Sequence, residues 1–297
     1  MTAQQPPQRS AWSSGHRFDD QRCWEARLRL GFQEDGGVTR LRDVDHHGPL
    51  RVQRPFYPEG NHGPCHVYLL HPPGGLVSGD RLHVDVRVEP GASALLTTPA
   101  ANKLYRADSH GVAWKQHTRL NIADAAFVEW LPQETIAFDG SRGIQETEVV
   151  LEKSARCLGW EVLALGRPAS QMPFVSGHLE QRFRLTLDGR PLWLERQPLD
   201  PLHRRFHGRW GQGGHQVQAT LWAAGLADPL AAVEEIRRQL DKMASPGWAV
   251  TQRHGVLLLR YLGDSRAQAW GLCEAAWAAL RPLFNGREVC PPRIWRT

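Results

Sequence analysis

Residues 71–88 read His71-Pro72-Pro73-Gly74-Gly75-Leu76-Val77-Ser78-Gly79-Asp80-Arg81-Leu82-His83-Val84-Asp85-Val86-Arg87-Val88, and the second half of this stretch decides the fold class. Leu82, Val84, Val86 and Val88 alternate with Arg81, His83, Asp85 and Arg87, the period of a strand with one buried and one wet face. Just upstream, Val67-Tyr68-Leu69-Leu70 is a short apolar run, so Pro72, Pro73 and the three glycines must form the connection between two strands. Proline fixes φ and glycine supplies φ > 0, which predicts a rigid bend whose bare backbone another strand or molecule can approach closely. By residue types alone the bend is a structural turn that ends in the Asp80 carboxylate.

The same alternation recurs on both sides. Trp24, Ala26, Leu28, Leu30 and Phe32 alternate with Glu25, Arg27, Arg29 and Gly31. Trp114, Gln116, Thr118 and Leu120 alternate with Lys115, His117, Arg119 and Asn121, and Leu179, Phe183, Leu185 and Leu187 stand against Glu180, Arg182, Arg184 and Asp188. Pro90-Gly91, Asp139-Gly140 and Asp188-Gly189 punctuate these runs as turns. Short strands with turn chemistry between them predict a mainly β core, either a sandwich or a wound, solenoid-like stack. Two late segments break the pattern. Asp228-Pro229 is a helix cap followed by Leu230, Val233, Ile236 and Leu240 at helical spacing up to Lys242. A second helix starts near Asp264 or Ser265, buries Trp270, Cys273, Ala276, Trp277 and Leu280, and is expected to stop at Pro282. Residues 1–21, rich in Gln, Pro and Ser, read as a loosely held tail, and residues 22–297 as a single β-rich domain with no linker or repeat inside it.

A chain of 297 residues buries a substantial core without staples. Its five cysteines (Cys23, Cys65, Cys157, Cys273 and Cys290) are odd in number and contain no CxxC pair, so neither a disulfide framework nor a zinc ribbon is indicated, and a reducing, cytoplasmic setting fits. No signal-like stretch and no run of 18 apolar residues is present, which predicts a soluble protein without a membrane partner. The net charge of +5 is spread along the chain and specifies no partner. Arg204-Arg205-Phe206-His207-Gly208-Arg209-Trp210 is the nearest approach to a nucleic-acid patch, but beside Gly211, Gly213 and Gly214 it reads as a mobile surface loop.

The phosphate loop GxxxxGK[ST], GxGxxG after a strand, HExxH and GxSxG are all absent, which removes sequence support for nucleotide hydrolysis, dinucleotide redox, zincin and α/β-hydrolase chemistry. Carboxylates gather in residues 129–140, where Glu129, Glu134 or Asp139 could pair as the acid and base of a carbohydrate-active β enzyme. The competing reading is a strand whose carboxylates face solvent or pair with arginines. Among the fourteen histidines, His62, Cys65 and His66 could offer imidazole and thiolate to a borderline-soft ion, and His203 and His207 would share a face if that segment were helical.

Four segments taken together resemble one family: HPPGGLVSGD (residues 71–80), TTPAANKLYR (97–106), EWLPQETIAFDG (129–140) and the C-terminal PPRIWRT (291–297). With GPLRVQRPFYP (48–58) and Leu165-Gly166-Arg167 in support, the order of motifs is similar to that of the urease accessory protein UreD, also called UreH, over about residues 22–297. The resemblance implies a non-enzymatic maturation factor of nickel urease with no tightly bound cofactor and only transient Ni2+. It also implies UreF-like and UreG-like partners, the latter the GTPase, docking with this chain on the urease apoprotein. The fold it implies is a helical stack of β-strands carrying two α-helices, with a lumen proposed to conduct the ion. Inside the matched motifs it singles out Asp80, Thr97, Thr98, Lys103 and Glu134 as a nickel path. His71, Pro72, Pro73, Gly74, Gly75, Tyr105 and Arg106 then serve as motif or structural residues. Oxygen ligands that bind weakly suit such a path better than a closed thiolate or imidazole cage. Two departures from the family pattern stand at Gln171-Met172 and at Asn102.

Overall fold

The computed structural model describes residues 23–167, 170–243 and 245–296; the expected tail at residues 1–21 lies outside them. The chain runs β1 (Trp24–Asp35), β2 (Val38–His47), β3 (Arg51–Val52), β4 (Cys65–Leu70), β5 (Gly75–Leu76), β6 (Asp80–Val88), β7 (Ser93–Thr97), β8 (Asn102–Leu104) and β9 (Trp114–Ile122). It continues through β10 (Phe127–Leu131), β11 (Thr135–Ala137), β12 (Arg142–Leu151), β13 (Arg156–Arg167), β14 (Met172–Pro173), β15 (His178–Leu187) and β16 (Arg190–Leu199). It ends with α1 (Arg204–His207), β17 (Val217–Ala224), α2 (Pro229–Leu240), β18 (Trp248–Arg253), β19 (Val256–Gly263), α3 (Arg266–Asn285) and a 3-10 turn at Arg293–Arg296.

The protein is mainly β with its long helices late in the chain. Two sheets face each other. The first is ordered β16-β15-β12-β9-β6-β1-β2 and the second β18-β19-β17-β13-β10-β7-β4-β3. In the first, β1, β6, β9, β12 and β15 are all parallel. In the second, β4, β7, β10 and β13 are parallel, and the short β5, β8 and β11 form a third parallel row. From β4 to β15 the chain therefore visits one sheet, the short row and the other sheet in turn. Each circuit lays its strands beside those of the last. Antiparallel strands finish the sheets: β2 and β16 at the edges of the first, and β17, β19 and β18 along the second.

The predicted periods set which side chains are buried. On β6, Leu82, Val84, Val86 and Val88 are buried and Arg81, His83 and Arg87 exposed. On β1, Ala26, Leu28, Leu30 and Phe32 are buried, whereas Trp24 at the strand end is exposed. The second sheet is covered on both faces, so β13 is buried almost throughout its length. Its Cys157, Leu163 and Leu165 join the core between the sheets; Leu158, Trp160 and Val162 join a second core under α2 and α3.

The Pro-Gly bend behaves as its composition demands. Gly74 and Gly79 take φ of 74° and 85°, and a Cβ on Gly75 would lie 2.4 Å from the Lys103 carbonyl oxygen. The molecule that approaches this bare backbone is strand β8 of the same chain.

α2 starts as expected, with Asp228 accepting N–H bonds from Leu230 and Ala231 at 3.1 and 3.0 Å. It buries Ala232, Val233, Ile236 and Leu240 and leaves Leu230 exposed. One helical expectation is corrected. α3 does not stop at Pro282 but runs on to Asn285, because a proline in the last turn removes only one N–H; Gly286, at φ 67°, ends it by donating to the Pro282 carbonyl at 2.9 Å. The Arg204–Trp210 segment, expected as a surface loop, contains the single-turn α1. Among the described residues no helix is long and apolar enough to cross a membrane.

Candidate functional site

Between the sheets a largely apolar core carries a polar lane. Leu82, Gln116, Gln145, Gln181 and Gln197 are successive register partners across β6, β9, β12, β15 and β16, and all face inward. The next row is Val84, Thr118, Thr147, Phe183 and Glu195. From the opposite sheet Glu161, Gln218, Thr220 and Arg260 face them, with Glu161 paired to Thr220 and Thr220 to Arg260 in register. A parallel ladder repeats whatever it places inward, so one polar residue per circuit at the same height makes a continuous polar strip.

The strip is hydrogen-bonded along much of its length. Asn102 donates to Gln116 at 2.8 Å, Gln181 to Gln145 at 3.1 Å, and Gln218 to Gln181 and Gln197 at 2.6 and 2.8 Å. Gln212 donates to Gln218 at 2.7 Å, Gln197 to Glu195 at 2.7 Å, and Arg260 grips Glu195 through two nitrogens at 2.8 and 2.5 Å. Two cavities open on the strip. The larger, about 120 Å3, is lined among others by His71, Gly74, Thr98, Asn102, Gln116, Thr118, Gln145, Thr147 and Glu161. The smaller, about 30 Å3, is lined among others by Glu161, Gln181, Gln197, Gln218 and Thr220. One water needs about 10–15 Å3, so the larger has room for several waters and the smaller for about two.

Glu161 borders both cavities. Its Oε1 accepts a bond from the Thr147 hydroxyl. Burial pushes its carboxyl up to about 7, the Thr147 bond opposes the rise and nearby Glu195 adds to it. The arrangement offers amide, hydroxyl and carboxylate oxygens to a passing cation, without a cage that would retain it.

Of the expected path residues, only Thr98 lines the larger cavity, together with the motif residues His71 and Gly74. Burial lowers the His71 imidazole pKa. Asp80 is buried and accepts the Val77 N–H at 2.8 Å, closing the bend. Thr97 is buried, donates to the Leu131 carbonyl at 2.6 Å and accepts from Trp295 at 2.8 Å, which pins the C-terminal motif to β7. Lys103 is exposed on β8. Glu134 is buried beside Arg266 at 3.4 Å, with Oε2 lacking a hydrogen-bond partner. Tyr105 stacks edge-on with Phe138 at 5.1 Å, and Arg106 pairs with Asp139. Pro72 and Pro73 form the exposed tip of the bend.

The histidine sets do not assemble. His62 bonds the Gly37 carbonyl at 2.9 Å, Cys65 points to the Tyr57 hydroxyl at 3.7 Å, and His66 pairs with Glu59 at 2.8 Å. Cys65 and His66 are neighbours on one strand and project to opposite faces, so they cannot share an ion. His203 caps α1 by accepting the Arg205 N–H, and His207 bonds the Pro201 carbonyl at 2.7 Å. Among the described residues no group of three or more His, Cys, Asp or Glu is placed to hold a metal.

Two of the carboxylates of residues 129–140, Glu129 and Asp139, are committed elsewhere, and Glu134 meets Arg266 through Oε1 alone. Asp139 accepts N–H bonds from Val175 and Ser176 at 3.0 and 2.7 Å, and none of Glu129, Glu134 or Asp139 lines either interior cavity. Glu129 is fully buried on the helix side of the second sheet, where Trp277 donates to it at 2.6 Å and Arg281 approaches at 3.1 Å. Arg281 also bonds Glu59 at 2.6 Å, and Glu59 holds His66. Burial raises the Glu59 carboxyl, but His66 and Arg281 outweigh it and hold the group below its usual range. This cluster ties α3 to β4 and β10 and exposes nothing to a ligand.

Glu161, Gln145, Gln181, Gln197 and Gln218 escaped the sequence reading. A signal existed: Gln116 and Thr118 fell on the inward side of their alternation, and Glu161 interrupts an otherwise apolar run from Leu158 to Leu165.

The family model described as UreD urease accessory protein matches residues 25–296. Urease accessory protein UreD of Chromohalobacter salexigens is 64% identical over 291 residues, covering 96% of this chain and 92% of that protein. The protein of the same name from Marinobacter nauticus is 64% identical over 302 residues and covers 100% of both. That of Pseudomonas putida strain W619 is 44% identical over 279 residues, covering 92% of this chain and 95% of its own.

Proposed function

Because the chain belongs to the UreD urease accessory protein family, a family of non-catalytic maturation factors, we propose that it serves urease maturation by conducting nickel along its interior lane to the urease apoprotein. The working unit in this reading is a cytoplasmic complex with a UreF-like protein and a UreG-like GTPase, docked on the apoprotein. The body is then a helical stack of β-strands, and the lane is its lumen.

The observation that carries the reading is the polar strip with its two cavities meeting at Glu161. An apolar core of this size has no folding need for five partly buried glutamines, and keeping them there requires the bonds they make to one another and to Asn102. Amide and hydroxyl oxygens bind Ni2+ weakly enough to release it, and Glu161 supplies the one carboxylate shared by both cavities. Its proton at pH below about 7 keeps the empty lane neutral, and an entering cation displaces that proton. Thr98 fits the path as expected from the resemblance; Asp80 and Thr97 fit better as braces of the bend and the C-terminal motif.

The test is reconstitution with the cognate urease apoprotein and the UreF-like and UreG-like proteins. Size-exclusion chromatography reports the complex and metal analysis reports nickel per urease. Thr147→Val together with Gln145→Leu is expected to leave the complex intact and lower nickel incorporation several-fold. Unchanged incorporation sinks the lane as the route, and failure of the wild type to form any complex sinks the accessory role.

A further inference from the structure

The segment between β16 and β17, residues 201–216, carries the most exposed apolar side chains of the described residues. Trp210 is 95% exposed and Leu202 80%. Asp200, which joins β16 to the segment, accepts the Leu202 N–H, and from Pro201 to Gln216 the chain contains Arg204, Arg205 and Arg209 but no further Asp or Glu. Among the described residues none of these three guanidiniums has a carboxylate partner; Arg209 lies over the Trp210 ring at 5.5 Å. Other exposed arginines among the described residues, Arg29, Arg184 and Arg253 included, are without a carboxylate partner too, but none stands beside so exposed a tryptophan as Trp210.

Despite its four glycines the segment is tied down. Its backbone closes a series of turns: Phe206 N–H to His203, Gly211 to Gly208, Gln212 to Phe206 and His215 to Gln212, at 2.8–2.9 Å. His207 bonds the Pro201 carbonyl, His215 pairs with Asp264 at 3.0 Å, and the buried Gln212 reaches inward to Gln218 of the polar lane. These bonds shape the segment into a platform, with its base at the lane and its tip in solvent. A held platform loses little entropy on binding, and Trp with Arg is the pairing that dominates interface energies.

We propose that residues 201–216 form a docking surface for a protein partner that presents carboxylates around an apolar pocket, with Trp210 as the anchor. This rests on the accessory role proposed above, and the partner is one of the proteins assembled there. The charge is confined to one loop with no basic track leading away from it, so a protein patch fits it better than a nucleic-acid backbone, which spreads its charge along its length. No long amphipathic helix accompanies it, as a membrane-surface site would require.

The test measures affinity of the wild type, Trp210→Ala and the triple variant Arg204→Glu/Arg205→Glu/Arg209→Glu for four immobilised probes. These are the cognate urease apoprotein, the UreF-like protein, vesicles of phosphatidylserine and phosphatidylcholine, and a single-stranded RNA 30-mer. Thermal midpoints of each variant, expected to match the wild type because the side chains are exposed, confirm folding. Leu202→Ser supplies an independent second variant. The expected result is a loss of about 30-fold with Trp210→Ala for one of the two proteins, and a larger loss with the triple variant. The salt dependence seen in the wild type should vanish in the triple variant. Wild-type binding to either protein with unchanged affinity in all variants overturns the docking surface alone. Losses confined to vesicles or RNA overturn it too. A wild type that binds neither protein overturns the accessory assembly and this surface together.

Discussion

The second sheet separates a buried ionic cluster from a partly buried lane of amides and hydroxyls. On its helix side, Glu59, His66, Glu129, Trp277 and Arg281 close on one another, with Arg281 reaching both carboxylates. On the other side, Glu161 has a hydroxyl partner and two cavities but no cation within ion-pair reach among the described residues. The first is a compensated cluster that fastens α3 to the β body. The second borders open space, with amides bonded to one another and a carboxylate that faces both cavities. Burial and charge alone therefore do not separate the two systems; what separates them is that the carboxylates of the cluster share a cation, whereas Glu161 faces two cavities.

The largest effect expected from breaking this contrast is on the cluster. Arg281→Met strands Glu129 and Glu59 without their cation, and a loss of about 3–5 kcal/mol in urea unfolding is expected. Adding Glu129→Gln to that variant should return part of the loss, which distinguishes an orphaned charge from lost packing.

The lane responds to pH instead. The Glu161 carboxyl is raised from 4.5 to about 7 on folding, so between those values the native state binds the extra proton. Stability tied to this group is full below pH 4.5 and is lost as pH rises through about 7, by roughly 3 kcal/mol. Glu161→Gln should flatten that decline; an unchanged pH profile means that Glu161 is solvated like a surface carboxylate.

Gln218→Leu removes bonds to Gln181, Gln197 and Gln212, but cavity water can replace them, so a loss of only about 1–2 kcal/mol is expected. A loss as large as that of Arg281→Met would make the lane a structural network like the cluster. The smallest change is Asp228→Ala at the cap of α2, about 1 kcal/mol by thermal unfolding, which touches neither system and sets the scale for both.

The β periods, both long helices and the rigid bend were legible because each is local: alternation, a cap and a run of Pro and Gly act within a few residues. The lane was only half legible. Gln116 and Thr118 stood on an inward face, yet Gln145, Gln181, Gln197 and Gln218 sit on other strands and meet only through parallel register. The cluster is less legible still, since Glu59 and Arg281 bond across 222 positions of sequence. Asp80 and Thr97 show the opposite case: motif residues legible in the sequence, whose partners are the Val77 N–H, the Leu131 carbonyl and the Trp295 indole.

The most direct test sets the two systems side by side in one assay, the nickel content of urease matured with Glu161→Gln or with Glu129→Gln, normalised to the amount of intact accessory complex. The account predicts a several-fold fall with Glu161→Gln and none with Glu129→Gln. Equal nickel content with both variants, or a fall only with Glu129→Gln, would contradict it.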